Sequence, residues 1–170
     1  KIPNPDQPLV HVYPGAEELG RVYRPDLAIQ AGSAAFVRAL QDFATFETPA
    51  WQDWTASARA DYLAHNTPTE IPGRLQMGRV MDWLRENLPP EAIISNGAGN
   101  YTTWVHRFHR FRHYRSQLAP TSGSMGYGVP AAVAAKAVHP DRPAVCFAGD
   151  GCFMMHGQEL ATAVQYGLNI

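Results

Sequence analysis

The sequence predicts an α/β fold in which a parallel sheet is flanked by helices. Two short segments, Ala92 to Ser95 and Ala144 to Ala148, each run into a glycine-rich turn and then into a helical pattern. Open α/β sheets present ligand-binding loops in this way, at the carboxyl ends of their strands. The third observation is the turn Gly149-Asp150-Gly151 itself, in a stretch with no lysine or arginine from Pro143 to Asn169. Two glycines let the backbone approach a phosphate closely and leave its N–H groups available, and the carboxylate between them is placed to hold a divalent cation. Gly149, Asp150 and Gly151 therefore predict a diphosphate carried on a metal ion, with Asp150 as the metal ligand.

With 170 residues, 45% of them hydrophobic, the chain has enough apolar material for a core and room for one domain or pieces of two. A net charge of −1 gives no global attraction to nucleic acid. The longest apolar run, Val129 to Val138, is interrupted by Pro130 and Lys136 and falls short of a membrane span. The opening Lys1-Ile-Pro-Asn-Pro has no apolar signal region, so a cytoplasmic protein without a membrane or nucleic-acid partner is expected. Cys146 and Cys152, six positions apart, match neither a zinc spacing nor a disulfide framework. The chain opens on a proline-rich connector and closes on Gly-Leu-Asn-Ile, which reads as a helix stop and the first residue of a strand. An excised portion of a longer enzyme is the expectation.

Taken in order, Leu9 to Tyr13 reads as a strand turning at Pro14-Gly15, Ala16 to Leu19 as a turn of helix, and Asp26 to Gln30 as a second strand. Ser33 to Ala44 follows as a helix with Phe36, Val37 and Leu40 on one face. From Phe46 to Thr69 the composition shifts to Trp51, Trp54, Tyr62 and scattered polar residues, which reads as a connector with a helix over Trp51 to Ala64. Trp51 and Trp54, three apart, are expected to pack on a neighbouring domain.

A second α/β unit begins with a helix over Leu75 to Leu88, where Met77, Val80, Met81 and Leu84 recur at helical spacing and Pro89-Pro90 stops the pattern. The strand Ala92 to Ser95 leads into Asn96-Gly97-Ala98-Gly99-Asn100 and a helix containing Trp104 and Val105. A lone Gly-x-Gly is weak evidence for phosphate binding, but at a strand end of the same sheet Asn96, Gly97 and Gly99 make a second wall of one site. His106 to Arg115 interleaves four arginines and three histidines with Phe108, Phe111 and Tyr114. Aromatics every three residues predict a short amphipathic element with its apolar side buried and its charges solvated. Last comes a Gly123-Ser124-Met125-Gly126 turn entering an alanine-rich helix, which allows two elements to pack closely.

At Gly123 to Gly126 and Gly149 to Gly151 the chain resembles the thiamine diphosphate-dependent enzymes, and most closely the acetolactate synthase branch. The resemblance covers essentially the whole chain. It implies the thiamin diphosphate-binding fold over residues 71–170, incomplete, a connector over residues 45–70, and a remnant of a Rossmann-like central domain over residues 1–44. Its implied cofactors are thiamine diphosphate and Mg2+, with FAD left open. The family's motif is completed one strand after Gly-Asp-Gly by an Asn-Asn pair supplying a second metal ligand. Asn169 is not that ligand, because it is read as closing the helix that follows Asp150.

By the same resemblance, Gly123, Ser124 and Met125 bind the middle of the cofactor. The Gly123 carbonyl and the Met125 N–H meet the aminopyrimidine edge, and the Met125 side chain wedges beneath the folded cofactor so that the ylid forms. Met125 is therefore the catalytic candidate. Gly149, Asp150, Gly151 and Cys152 hold the diphosphate, with Cys152 where the family commonly has serine and His156 where it commonly has asparagine. His156 and Glu159, three apart on a helix, resemble a metal pair without a third ligand. The implied enzyme decarboxylates or joins 2-keto acids, as in acetolactate synthesis for branched-chain amino acids, and works as a homodimer or homotetramer. An activating glutamate comes from a neighbouring subunit, so the isolated chain is expected to be inactive, to bind cofactor weakly and to self-associate. A benzoylformate- or indolepyruvate-type decarboxylase, an oxalyl-CoA-type lyase and glyoxylate carboligase share the scaffold. A non-catalytic nucleotide- or nucleic-acid-binding module built on His106 to Arg115 is the reading from another class.

Overall fold

A computed structural model describes every residue except Lys1, Ala44 and Phe46. The last residue expected in the helix from Ser33, the first expected in the connector, and the amino-terminal residue of the first domain thus lie outside the described residues. The chain divides into two compact units, one ending at Asp53 and one beginning at Trp54.

In the first unit, β1 (Val10–Tyr13) pairs in parallel with β2 (Leu27–Gln30), Val10 opposite Leu27 and Tyr13 opposite Gln30. A parallel pair needs a crossover, and the chain supplies one through the 3-10 turn Ala16–Glu18. The Asp26 carboxylate fastens the entry to the sheet by accepting the Leu9 N–H at 2.8 Å. Helix α1 runs over Ser33–Leu40, and Gln41 to Phe43, expected to continue it, lie in a turn and a bend. Its last turn tightens into i→i+3 bonds, Gln41 N–H to the Arg38 carbonyl and Phe43 N–H to that of Leu40. Val37 and Leu40 remain 55% and 48% exposed, so no buried face prolongs it.

Helix α2 covers Gln52–His65 and buries none of its residues; Trp51 and Trp54 are 54% and 73% exposed. Helix α3 (Met77–Asn87) buries Met81, at the spacing the sequence predicted, and ends before Pro89.

The second unit is built on β3 (Ile93–Asn96), β4 (Gln117–Leu118) and β5 (Ala144–Phe147), all parallel, in the order β4-β3-β5. Ile93 lies opposite Ala144 and Asn96 opposite Phe147. The central strand is buried at all four positions, as expected for a parallel strand covered on both faces. Its polar half is satisfied: the Ser95 hydroxyl donates to the Gly128 carbonyl at 2.8 Å, and the Asn96 amide donates to the Gly97 carbonyl at 2.8 Å. Helix α4 spans Thr102–Phe108 and lies against α3, while α5 (Gly128–Val138) packs on β3 and β5 with Val129, Ala132, Val133 and Ala135 buried. Fully burying side chains such as Met81, Ile94 and Val105 contributes about 1.5–3 kcal/mol each. Arg142 ties the strand approaches together, donating to the carbonyls of Glu91 at 2.6 Å and Arg115 at 3.3 Å.

Four expectations about two segments are corrected. The segment His106 to Arg115 is not one amphipathic element: α4 stops at Phe108, which is buried, whereas Tyr114 is 81% exposed. Nor are all its charges merely solvated. Arg107 donates to the carbonyl of His65 at the end of α2, and Arg112 to those of Arg85 and Leu88 at the end of α3, so both cap helices. Beyond Gly-Asp-Gly the helix is not continuous either. It breaks at Gly157 into α6 (Asp150–His156) and α7 (Glu159–Gln165). The stop belongs to Gly167, at φ +63°, with the Leu168 N–H returning to the Ala163 carbonyl; Asn169 lies past it.

Candidate functional site

Because β3 and β5 are parallel neighbours, the turns that leave them emerge side by side at one edge of the sheet. Gly97 to Gly99 leaves β3, and Gly149 to Gly151 leaves β5 into α6. Gly149 is the N-cap of α6, and its carbonyl accepts the first helical bond from Phe153 at 2.8 Å. Asp150 is exposed in the first turn. One carboxylate oxygen accepts the Gly151 N–H at 2.8 Å, which orients the other for a cation.

The turn carrying Met125 reaches this edge from the side of α5. Gly123 and Gly126 hold φ of +68° and +82°, conformations that glycine adopts without strain. The turn is seated along α6. The Met125 Cε lies 2.9 Å from where a Cβ on Gly151 would be, and Met155 and His156 crowd the same point on Gly126 at 3.1 and 2.5 Å. His156 Nδ1 lies 3.1 Å from the Gly126 carbonyl. Met125 is 45% exposed, with its tip resting against Gly151. Space around Gly123 is open, and the Ser124 hydroxyl is 2.8 Å from that of Ser122.

Behind the loops, close approach replaces side chains. A Cβ on Gly128 would lie 2.9 Å from the Gly97 nitrogen and 3.1 Å from the Cys146 sulfur, so the first turn of α5 touches the ends of β3 and β5 directly. Asn96 is buried, and its Oδ1 lies 3.3 Å from His106 Nε2; it shapes the Gly97 loop from below. Cys152 is also buried. Its thiol donates to the Ala98 carbonyl at 3.0 Å and accepts from the Tyr101 hydroxyl at 3.3 Å, so it faces the Gly97 loop. Burial pushes the Cys152 thiol up, but the Tyr101 hydroxyl and the backbone of Gly126, Ala98 and Gly149 more than offset this, and its pKa lies below the ordinary value. Cys146 is displaced the other way, chiefly by burial.

The structure thus brings Gly97, Gly99, Gly149, Asp150, Gly151, Cys152 and Met125 to one edge. His156 ends α6 and Glu159 begins α7, and no group of three His, Cys, Asp or Glu able to hold a metal occurs among the described residues. A cavity of about 610 Å3 between β4 and α5 includes none of the loop residues. Sequence reasoning missed Tyr101, Ser95 and Gly128. Tyr101 had one signal, its place directly after Gly97-Ala98-Gly99-Asn100.

Residues 97–170 match the family model described as thiamine pyrophosphate enzyme, C-terminal TPP binding domain. Over 98% of its length the chain is 29% identical to the acetolactate synthase isozyme 1 large subunit of Escherichia coli, of which it covers 30%. It is 30% identical to the acetolactate synthase large subunit of Corynebacterium glutamicum, across 98% of this chain and 28% of that one. Against the acetolactate synthase of Arthrospira platensis the identity is 37% over 89 residues, 52% of this chain and 15% of the relative. The chain spans under a third of the length of these curated relatives.

Proposed function

We infer, for a chain whose residues 97–170 match the model of the C-terminal binding domain of thiamine pyrophosphate enzymes and which is similar along nearly its whole length to acetolactate synthase large subunits, that it holds the diphosphate of thiamine diphosphate on Mg2+ in an acetolactate synthase-like enzyme. The observation that carries this reading is the adjacency of two glycine turns at the ends of neighbouring parallel strands, with an exposed carboxylate in one of them. The residues fit the group. Gly97, Gly99 and Gly149 let Tyr101 and Cys152 sit where their side chains would be and so bring the two turns together, and Asp150 offers an oxygen ligand of the kind magnesium takes.

When bound, thiamine diphosphate supplies a carbon nucleophile and an electron sink for decarboxylating and joining 2-keto acids. The work of this chain is to bind and orient. The backbone of Gly97 to Gly99 and of Gly149 to Cys152 receives the diphosphate, and Asp150 receives the cation. The Gly123 carbonyl and Met125, on a turn fixed by His156 and Gly151, hold the ring end. For the whole protein we propose pyruvate or a similar 2-keto acid as substrate, branched-chain amino acid biosynthesis as setting, a homo-oligomer as assembly and the cytoplasm as location. No described helix is long and apolar enough to cross a membrane. Residues 1–44 are proposed as the end of a central domain, 45–70 as a connector and 71–170 as part of the cofactor domain.

The test is calorimetric titration of the full-length protein with thiamine diphosphate, with and without Mg2+, beside an assay for acetolactate formed from pyruvate. Magnesium-dependent binding and product are expected. Absence of binding with Mg2+ present, or binding of an oligonucleotide at moderate salt instead, overturns the reading.

A further inference from the structure

Tyr101 touches both glycine loops at once. Its ring carbon Cε1 lies 2.8 Å from the place a Cβ on Gly99 would take and 2.9 Å from the corresponding place on Gly149. At Gly97 the Tyr101 hydroxyl stands in that place, at 2.9 Å. Three glycines from the ends of two strands therefore form a slot one aromatic ring wide, and a side chain at any of them displaces the ring. The hydroxyl completes the link. It donates to the Cys152 sulfur at 3.3 Å, and the Cys152 thiol donates to the Ala98 carbonyl at 3.0 Å, so α6 is tied back to the loop that leaves β3. Burial first, and the bond to Cys152 second, push the Tyr101 hydroxyl up to about 12, which keeps it a protonated donor through the physiological range.

Resting on the thiamine diphosphate reading, we propose that Tyr101 is a positioning residue: it sets the spacing of the Gly97–Gly99 and Gly149–Gly151 loops, so that the amides of both meet one diphosphate. It acts through Cys152 and the glycines and does not touch the reacting atoms. Two features separate this from a ring that only fills space. The contacts fall on the two loops assigned to the ligand, and the hydroxyl makes a directional bond across the gap between them, which a filler would not need.

The experiment uses the full-length protein as wild type, Tyr101→Phe, Tyr101→Ala, Cys152→Ala and the Tyr101→Phe/Cys152→Ala double variant. Three quantities are read: the Kd for thiamine diphosphate at fixed Mg2+, the labelling rate of Cys152 by a thiol reagent without cofactor, followed by peptide mass spectrometry, and the melting temperature. Loss of the single bond in Tyr101→Phe raises Kd about 3-fold, and loss of the ring in Tyr101→Ala raises it about 10-fold or more. Cys152 labels about 5-fold faster or more in Tyr101→Ala than in wild type, following exposure of the thiol. The double variant binds no worse than the weaker single one, because both changes break the same link. A Tyr101→Ala protein with wild-type Kd, or single effects that multiply in the double variant, overturns the assignment, even if the melting temperature falls. Wild-type protein that binds no thiamine diphosphate overturns both this assignment and the function on which it rests.

Discussion

A Cβ on Gly128 would stand 2.9 Å from the backbone nitrogen of Gly97. The first turn of α5 and the end of β3 are in direct backbone contact there, and the Ser95 hydroxyl closes the gap by donating to the Gly128 carbonyl. Nothing flexible lies in the way to yield. Gly128→Ala should therefore cost about 1–3 kcal/mol of stability, measured by urea unfolding, as expected for overpacking against backbone. Unfolding at the wild-type midpoint would show that α5 has room to shift.

Gly151→Ala should behave in the opposite manner. The added methyl would meet only the Met125 Cε, the far end of a flexible side chain. The expected result is little change in the unfolding midpoint and about 10-fold weaker thiamine diphosphate binding, because Met125 leaves its seat. A large loss of stability with unchanged affinity would show that Met125 does not yield.

Asp150→Asn keeps the shape of the side chain, including its acceptor toward the Gly151 N–H, while removing the charge that a divalent cation requires. The Mg2+ and thiamine diphosphate concentrations needed for half-maximal activity of the full-length protein should rise about 10-fold or more, with the far-UV circular dichroism unchanged. An unaltered cofactor dependence would make the carboxylate a helix-start residue and nothing more.

His109 predicts a pH dependence. Burial first, and then the charges of Arg112 and Arg85, hold it below its ordinary value of 6.5, and its Nδ1 is buried without a hydrogen-bond partner among the described residues. The folded protein thus binds this proton less readily than the unfolded chain. Its contribution is complete above the unfolded value near 6.5 and declines as the pH falls from there toward the folded pKa. Urea unfolding at pH 7.5, 6.5 and 5.5 should show stability falling on acidification, and His109→Gln should flatten the fall. Equal slopes in the two proteins would assign the pH dependence to other groups.

Periodicity and punctuation made much of the fold legible. Met77, Val80, Met81 and Leu84 announced α3, and the apolar segments ending in glycine announced β3 and β5 within a residue or two. The adjacency of the two glycine turns followed from reading both strands into one parallel sheet. What stayed hidden depends on contacts between distant residues. The two-residue β4 has no pattern to read, and its identity comes only from pairing with Ile94 and Ser95. The three-residue recurrence of Phe108, Phe111 and Tyr114 misled because Arg107 and Arg112 turn back to cap α2 and α3. Tyr101 and Gly128 were invisible for a related reason: each matters through a gap that exists only once two strand ends lie together.

The order β4-β3-β5 sets a timetable for synthesis. The centre of the sheet is made first, and Ile93 must wait for Ala144, about fifty residues later, before its second edge is paired. At ribosomal rates of about 5–20 residues per second the delay is roughly 3–10 s. Throughout it the strand that ends up most deeply buried in the unit presents an open edge to whatever else is being made nearby, and slow translation between Leu118 and Ala144 lengthens that exposure.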